Sequence, residues 1–189
     1  PLRLVGSEMC IRDRANAVSL STYTVYQSGN GGSYTNTFTT NATIASGGVY
    51  MIAANQADAS ILAVADTAMV YPSIAHFNGD DAIILVSGTD TVDVIGVPGV
   101  DPGSSWPVGT GSTAEHTLVR KATIDAGSTD WTTGATEWDV YAQNTWTYMG
   151  AHTSNCIYVA PAPSFDSVVA INTFNSNDAN GCLLYTSDA

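Results

Sequence analysis

The stretch His76–Trp106, HFNGDDAIILVSGTDTVDVIGVPGVDPGSSW, decides the fold class. Within it, Ala82–Val86 (AIILV) is a short apolar run rich in branched residues. It is too short for a helix that persists on its own, so it reads as a strand covered on both faces. Ser87–Asp90 (SGTD) is polar and contains a glycine, which allows the chain to reverse. Thr91–Ile95 (TVDVI) then alternates, which places Val92 and Val94 on one side of a strand and Asp93 on the solvated other. Asn78-Gly79, just ahead, has the composition of a type I′ hairpin turn, because both residues tolerate positive φ. After Gly96 comes a Pro/Gly loop holding Asp101, Pro102 and Gly103, and it ends at Trp106, the expected core anchor. Burying one Trp removes roughly 150–250 Å² from water, an upper bound of about 4–6 kcal/mol before entropy.

Working outward, the same grammar recurs. Tyr23, Val25 and Gln27 share a face of a strand (TYTVYQ), and a glycine-rich turn at Ser28–Ser33 follows. Tyr34–Thr40 (YTNTFTT) is a polar strand with Tyr34 and Phe38 on one side. Val49–Ala54 reads as a central strand, and Asp58 as the cap of one short helix over residues 58–65. Thr117–Ile124 is a strand carrying Arg120 and Lys121, and since strand neighbours point oppositely, one of the two is expected to pair inward with an acid. Asp125–Thr136 is polar loop, and Glu137–Gln143 alternates with Trp138 and Val140 on one face. Many short strands joined by glycine-rich turns give an all-β, immunoglobulin-like β-sandwich.

Composition narrows the function. Hydrophobic residues make up 44% of the 189 but charged ones only 12%, half the usual share, and the net charge is −12. The ends differ in character. Ser7–Arg14 (SEMCIRDR) and Cys182–Ala189 (CLLYTSDA) resemble translated adapter sequence at the edge of a metagenomic fragment, so residues 1–14 and 182–189 read as non-native. Residues 15–153 then form the sandwich, and 154–181 a linker with the possible start of a second module. Setting aside Arg3, Arg12 and Arg14 together with Glu8, Asp13 and Asp188 keeps the charge at −12 and leaves Arg120 and Lys121 as the only basic residues. That balance excludes nucleic-acid backbone binding, which needs clustered cations, and docking on anionic lipid. No apolar run reaches the roughly 20 residues that span a bilayer. Cys156 alone among the three cysteines lies outside the foreign-looking ends, so no disulfide framework is indicated.

The ordered motifs FNGDDAIIL (Phe77–Leu85, with Asn78, Gly79, Asp80 and Asp81), TVDVIG (Thr91–Gly96), VDPGSSW (Val100–Trp106), HTLVRK (His116–Lys121) and EWDVY (Glu137–Tyr141, with Trp138) resemble the bacterial lamin tail domain. LSTYTVY (Leu20–Tyr26) and WTYMGAH (Trp146–His152) extend the likeness over about residues 16–153. The resemblance implies an extracellular or surface-displayed accessory module without its own active site or cofactor. Its partners would be neighbouring domains of the same polypeptide, or an extracellular protein or glycan. The family's opening strand is replaced here by SEMCIRDR, which is expected to leave a sheet edge unpaired and prone to association.

Alternatives with chemistry of their own follow from particular residues. Asp80, Asp81, Asp90, Asp93 and Asp101 are the candidate Ca²⁺ ligands, against turn-shaping and solvated roles. Glu115-His116 beside Arg120-Lys121 is a candidate acid–base group, but His76, His116 and His152 have no HExxH-type spacing, and no nucleophile elbow or Walker loop occurs. Glu137 and Asp139 share a strand face without marking a glycosidase pair. Trp131, Trp138, Trp146 and Tyr148 are either a sugar-stacking platform or, preferred here, core and end-cap packing. The leading expectation is a non-catalytic interaction module. The alternatives are an accessory domain of an extracellular nuclease or phosphatase, and a Ca²⁺- or carbohydrate-binding module.

Overall fold

The computed structural model describes residues 2–3, 17–124 and 126–152. The expected linker and second module at 154–181, both adapter-like segments and Cys156 lie outside the described residues. Strands β1 (Leu2–Arg3), β2 (Val18–Ser19), β3 (Tyr23–Ser28), β4 (Tyr34–Thr39), β5 (Thr43–Ile44) and β6 (Met51–Ala54) precede a one-turn helix, α1 (Ala59–Leu62). Then come β7 (Thr67–Met69), β8 (Ala82–Ser87), β9 (Asp90–Ile95), β10 (Pro107–Val108), β11 (Gly111–Ser112), β12 (His116–Arg120), α2 (Trp131–Gly134) and β13 (Trp138–Ala142). The fold is all-β and sandwich-like. No helix among the described residues is long and apolar enough to cross a membrane.

The centre is a four-stranded antiparallel sheet in the order β4-β3-β8-β9. Residues Ala82–Leu85 of β8 are all buried, as the apolar run AIILV demands. Ile83 and Leu85 join Val25 and Ile52 in one core cluster, while Ala82 and Ile84 join Trp106, Val108, Trp131 and Trp138 in another. The first cluster ties the sheet to β6, and the second ties its other face to the β12–β13 hairpin and α2. The far face of β6 carries a third cluster, Met51, Ala53 and Ile61, covered by α1 and by Trp146 and Met149. β6 is flanked antiparallel by Leu2–Arg3 and parallel by β7.

Two bulges overturn the expected side-chain alternation. Thr91 pairs with Val86 and Asp93 with Leu85, so Val92 is an extra residue without a cross-strand partner. Val92 therefore packs in the first cluster and Val94 in the second, not on one side as the pattern TVDVI suggests. Likewise Ser28 pairs with Tyr34 and Gln27 with Asn36, leaving Thr35 extra. Phe38 packs on the first cluster, whereas Tyr34 stacks on Tyr26, which belongs with the second, at 4.7 Å between ring centroids.

The reversal between β8 and β9 is at Gly88-Thr89, inside the expected SGTD turn. Asn78-Gly79 is not a hairpin turn; it lies in the loop leading into β8. Gly79 is required for a different reason. Its φ is +110°, and a Cβ there would sit 2.5 Å from the Cβ of Ala114. Thr113 fixes that approach: its hydroxyl donates to the Gly79 carbonyl and accepts from Trp106 N at 2.9 Å. Trp106 is buried as expected, and a Cβ on Gly96 would fall 2.6 Å from its indole nitrogen.

Two further expectations change. A second helix, α2, interrupts the stretch read as polar loop, and Asp130 caps it by accepting from the backbone N–H of Thr132 and Thr133. α1 is shorter than 58–65 but is capped by Asp58, as read. The strand β7, not anticipated, adds a parallel pair to an otherwise antiparallel scaffold.

Candidate functional site

Each candidate acid has its own place. Asp81 is buried and accepts from Gln27 Nε2 at 2.6 Å and from Asn30 N at 3.1 Å, tying β8 to the turn after β3. Asp80 is buried next to it. Asp90 is exposed at the hairpin end, and Asp101 is exposed and accepts from Gly103 N at 2.7 Å. Asp93 lies elsewhere, in an ion cluster. Among the described residues no three His, Cys, Asp or Glu side chains are grouped to hold a metal ion.

The ion cluster corrects the reading of Asp93 as a solvated position. Asp93 is 7% exposed, and its Oδ1 meets Arg120 Nη2 at 3.0 Å. The same oxygen accepts from Ser128 N at 2.9 Å, as the loop before α2 runs along the outer edge of β9. Arg120 Nη1 faces Glu137 Oε2 at 3.2 Å, an ion pair without hydrogen-bond alignment, and donates to the Ala126 carbonyl at 3.4 Å. The guanidinium carbon lies 4.4 Å from the centroid of the Trp138 ring, in cation–π range. The inward pairing expected of one member of Arg120-Lys121 is thus made by Arg120, while Lys121 Nζ donates to the Thr136 carbonyl at 2.6 Å.

Two carboxylates share one buried cation, so the cluster is one negative charge in excess. Burial pushes Asp93 up to about 6, against the opposing pull of Arg120. Burial also raises Glu137, with Arg120 and Lys121 opposing. The Arg120 side chain has no solvent exposure, so it cannot meet a soluble phosphate or act with Glu115-His116. The cluster is structural chemistry that holds β9, β12 and the start of β13 together.

An open cleft of about 420 Å³ lies at the other end of the β12–β13 hairpin. Three separate segments form it: the loop before β8 (Ala75, Phe77, Asn78), the approach to and first half of β12 (Thr113–Leu118), and the turn after β13 (Gln143–Trp146). Ile95 and Trp138 complete the lining. The volume falls within the roughly 300–1,000 Å³ of small-ligand sites. Its lining has no Lys or Arg, and Glu115 is its one carboxylate. His116 Nδ1 is bonded to the Ala114 carbonyl at 2.7 Å, which fixes the ring at the rim.

The four candidate aromatics do not form a platform. Trp131 and Trp138 are buried in the core, as preferred above. Trp146 is half-buried between the third cluster and the cleft, and Tyr148 is exposed and packed on Tyr141 at 4.7 Å. Sequence reasoning missed the cleft because its walls come from segments distant in sequence. It also missed α2, although Asp130 two and three residues ahead of Thr132 and Thr133 is a legible cap signal.

The chain matches no family model, no curated protein and no solved structure.

Proposed function

We propose that the chain is a non-catalytic interaction module of a secreted or surface-displayed bacterial protein, lamin-tail-like and immunoglobulin-like in architecture, that works through the cleft beside β12. The observation carrying this reading is the division of polar chemistry between the two ends of one hairpin. The reactive-looking charges Asp93, Arg120 and Glu137 are spent on one another below the surface. The cleft instead offers amides, hydroxyls and aromatic rings around one carboxylate, Glu115, and the rim imidazole of His116, a lining dominated by groups that recognise. The lamin-tail-like reading draws support from where its motifs fall: FNGDDAIIL runs into β8, TVDVIG spans most of β9, and HTLVRK and EWDVY span β12 and most of β13.

The test is binding of the full chain to a printed array of oligosaccharides and peptides, beside Glu115→Gly and Gln143→Ala. A parallel assay with p-nitrophenyl phosphate and its bis-ester reads turnover. The expected result is array binding that both variants weaken, with no turnover above buffer. Binding indifferent to both variants, no binding at all, or phosphoester hydrolysis by the purified chain overturns the proposal.

A further inference from the structure

Resting on that reading of the cleft, we infer that its ligand is a neutral oligosaccharide. The half-buried Phe77 and Trp146 are among the lining residues. Aromatic faces are electron-rich and attract the C–H groups of a pyranose, which carry partial positive charge. Around them stand the amides of Asn78, Gln143 and Asn144 and the carboxylate of Glu115. Among the described residues these four side chains make no hydrogen bond to the protein, so their donors and acceptors remain open for sugar hydroxyls. An amide both donates and accepts, as a hydroxyl does, whereas phosphate and sulfate are held most strongly by guanidinium or ammonium groups. The cleft has none, and the chain's charge of −12 repels anions further.

Backbone strain points to the same place. Three non-glycine residues among the described ones have positive φ: Asn30, Glu115 and Asn144. Asn30 is accounted for, since its N–H donates to buried Asp81. The other two, at φ +58° and +62°, both line the cleft. Asn enters the left-handed region readily, but Glu does so at a cost, and strained residues concentrate where a side chain must be presented to a ligand. Glycine at 115 would keep the turn and relieve the strain, while removing the carboxylate. Glycine at 115 stabilises the turn under either role; only a ligand-facing role predicts that binding is weakened as well.

Isothermal titration of the full chain with neutral cello-, xylo-, manno- and malto-oligosaccharides of three to six units decides the matter. The expected result is saturable binding to at least one series. Gln143→Ala should weaken it about tenfold, the scale of one lost ligand hydrogen bond. Glu115→Gly should weaken it as much or more while raising the midpoint of thermal unfolding. Cleft-dependent binding of peptides without any response to neutral sugars overturns the inference and leaves the interaction-module reading standing. Binding to sugars that neither variant changes overturns both, as does silence toward sugars and peptides alike. Glu115→Gly that binds sugar as well as the parent chain also overturns the inference.

Discussion

The two ends of the β12–β13 hairpin are built to opposite specifications. At one end Arg120 pairs in register with Trp138 and is enclosed by Asp93, Glu137 and the Trp138 ring, with no solvent exposure at the guanidinium. At the other, His116 pairs with Ala142 and the chain opens into a cleft whose amides and single carboxylate have no protein partner among the described residues. The three residues between His116 and Arg120 separate a place where charge is quenched from one where polarity is left available. The difference shows that the strongest electrostatics of this chain belong to the scaffold, whereas the cleft proposed for recognition holds amides and a single carboxylate.

The sharpest way to break this contrast is Arg120→Met. It strands the buried Asp93 and the half-buried Glu137, so a loss of about 3–5 kcal/mol is expected in urea denaturation. A loss under about 1 kcal/mol would mean that the cluster is not the scaffold's ionic centre. Next comes the pH dependence. Asp93 titrates near 6 in the fold against 3.8 ordinarily, so the folded state holds a proton through that window when the unfolded chain has released it. Its contribution to stability is therefore fully present below about pH 3.8 and lost as pH rises through about 6. Between pH 7 and 5 the chain should gain on the order of 1–2 kcal/mol, at about 1.4 kcal/mol per pH unit per proton. Asp93→Asn keeps an acceptor for Arg120 and Ser128 without a titrating group and should flatten the profile; an unchanged slope would assign the proton elsewhere.

Smaller effects are expected at the cleft. Glu115→Gly should stabilise by up to about 1 kcal/mol through relief of the positive φ, read as a shift in urea midpoint at constant slope. Gln143→Ala, on an exposed turn, should move stability by no more than about 0.5 kcal/mol in either direction. If either cleft substitution cost as much as Arg120→Met, the two ends would not differ in kind.

The parts of this fold legible in the sequence are those set by local pattern. AIILV could only be a strand covered twice, SGTD could reverse, Trp106 had to be buried, and adjacent basic residues on a strand had to point apart. What escaped depends on insertions and on distant partners. A single extra residue at Val92 or Thr35 reverses every side chain beyond it, and nothing in TVDVI or YTNTF marks the bulge. Asp93 looked solvated because its burial is compensated by Arg120, 27 positions away. Asn78-Gly79 carried turn chemistry, but its glycine answers to the approach of Ala114. The cleft was illegible for the same reason: Phe77, Glu115 and Gln143 line one space only once β12 and β13 have paired and the loop before β8 has closed on Thr113 and Ala114.

The distribution of the four tryptophans has an optical consequence. Trp106, Trp131 and Trp138 share one dry cluster, so their emission should lie to the blue and shift red together as that cluster opens. Trp146 borders the cleft half-exposed, and the buried Trp138 lines it as well. A ligand in the proposed site should therefore perturb chiefly the minor, red component of the fluorescence, with a smaller change in the blue one through Trp138, whereas unfolding should move the blue component most. The tryptophans would thus report unfolding and occupancy of the proposed site in different proportions.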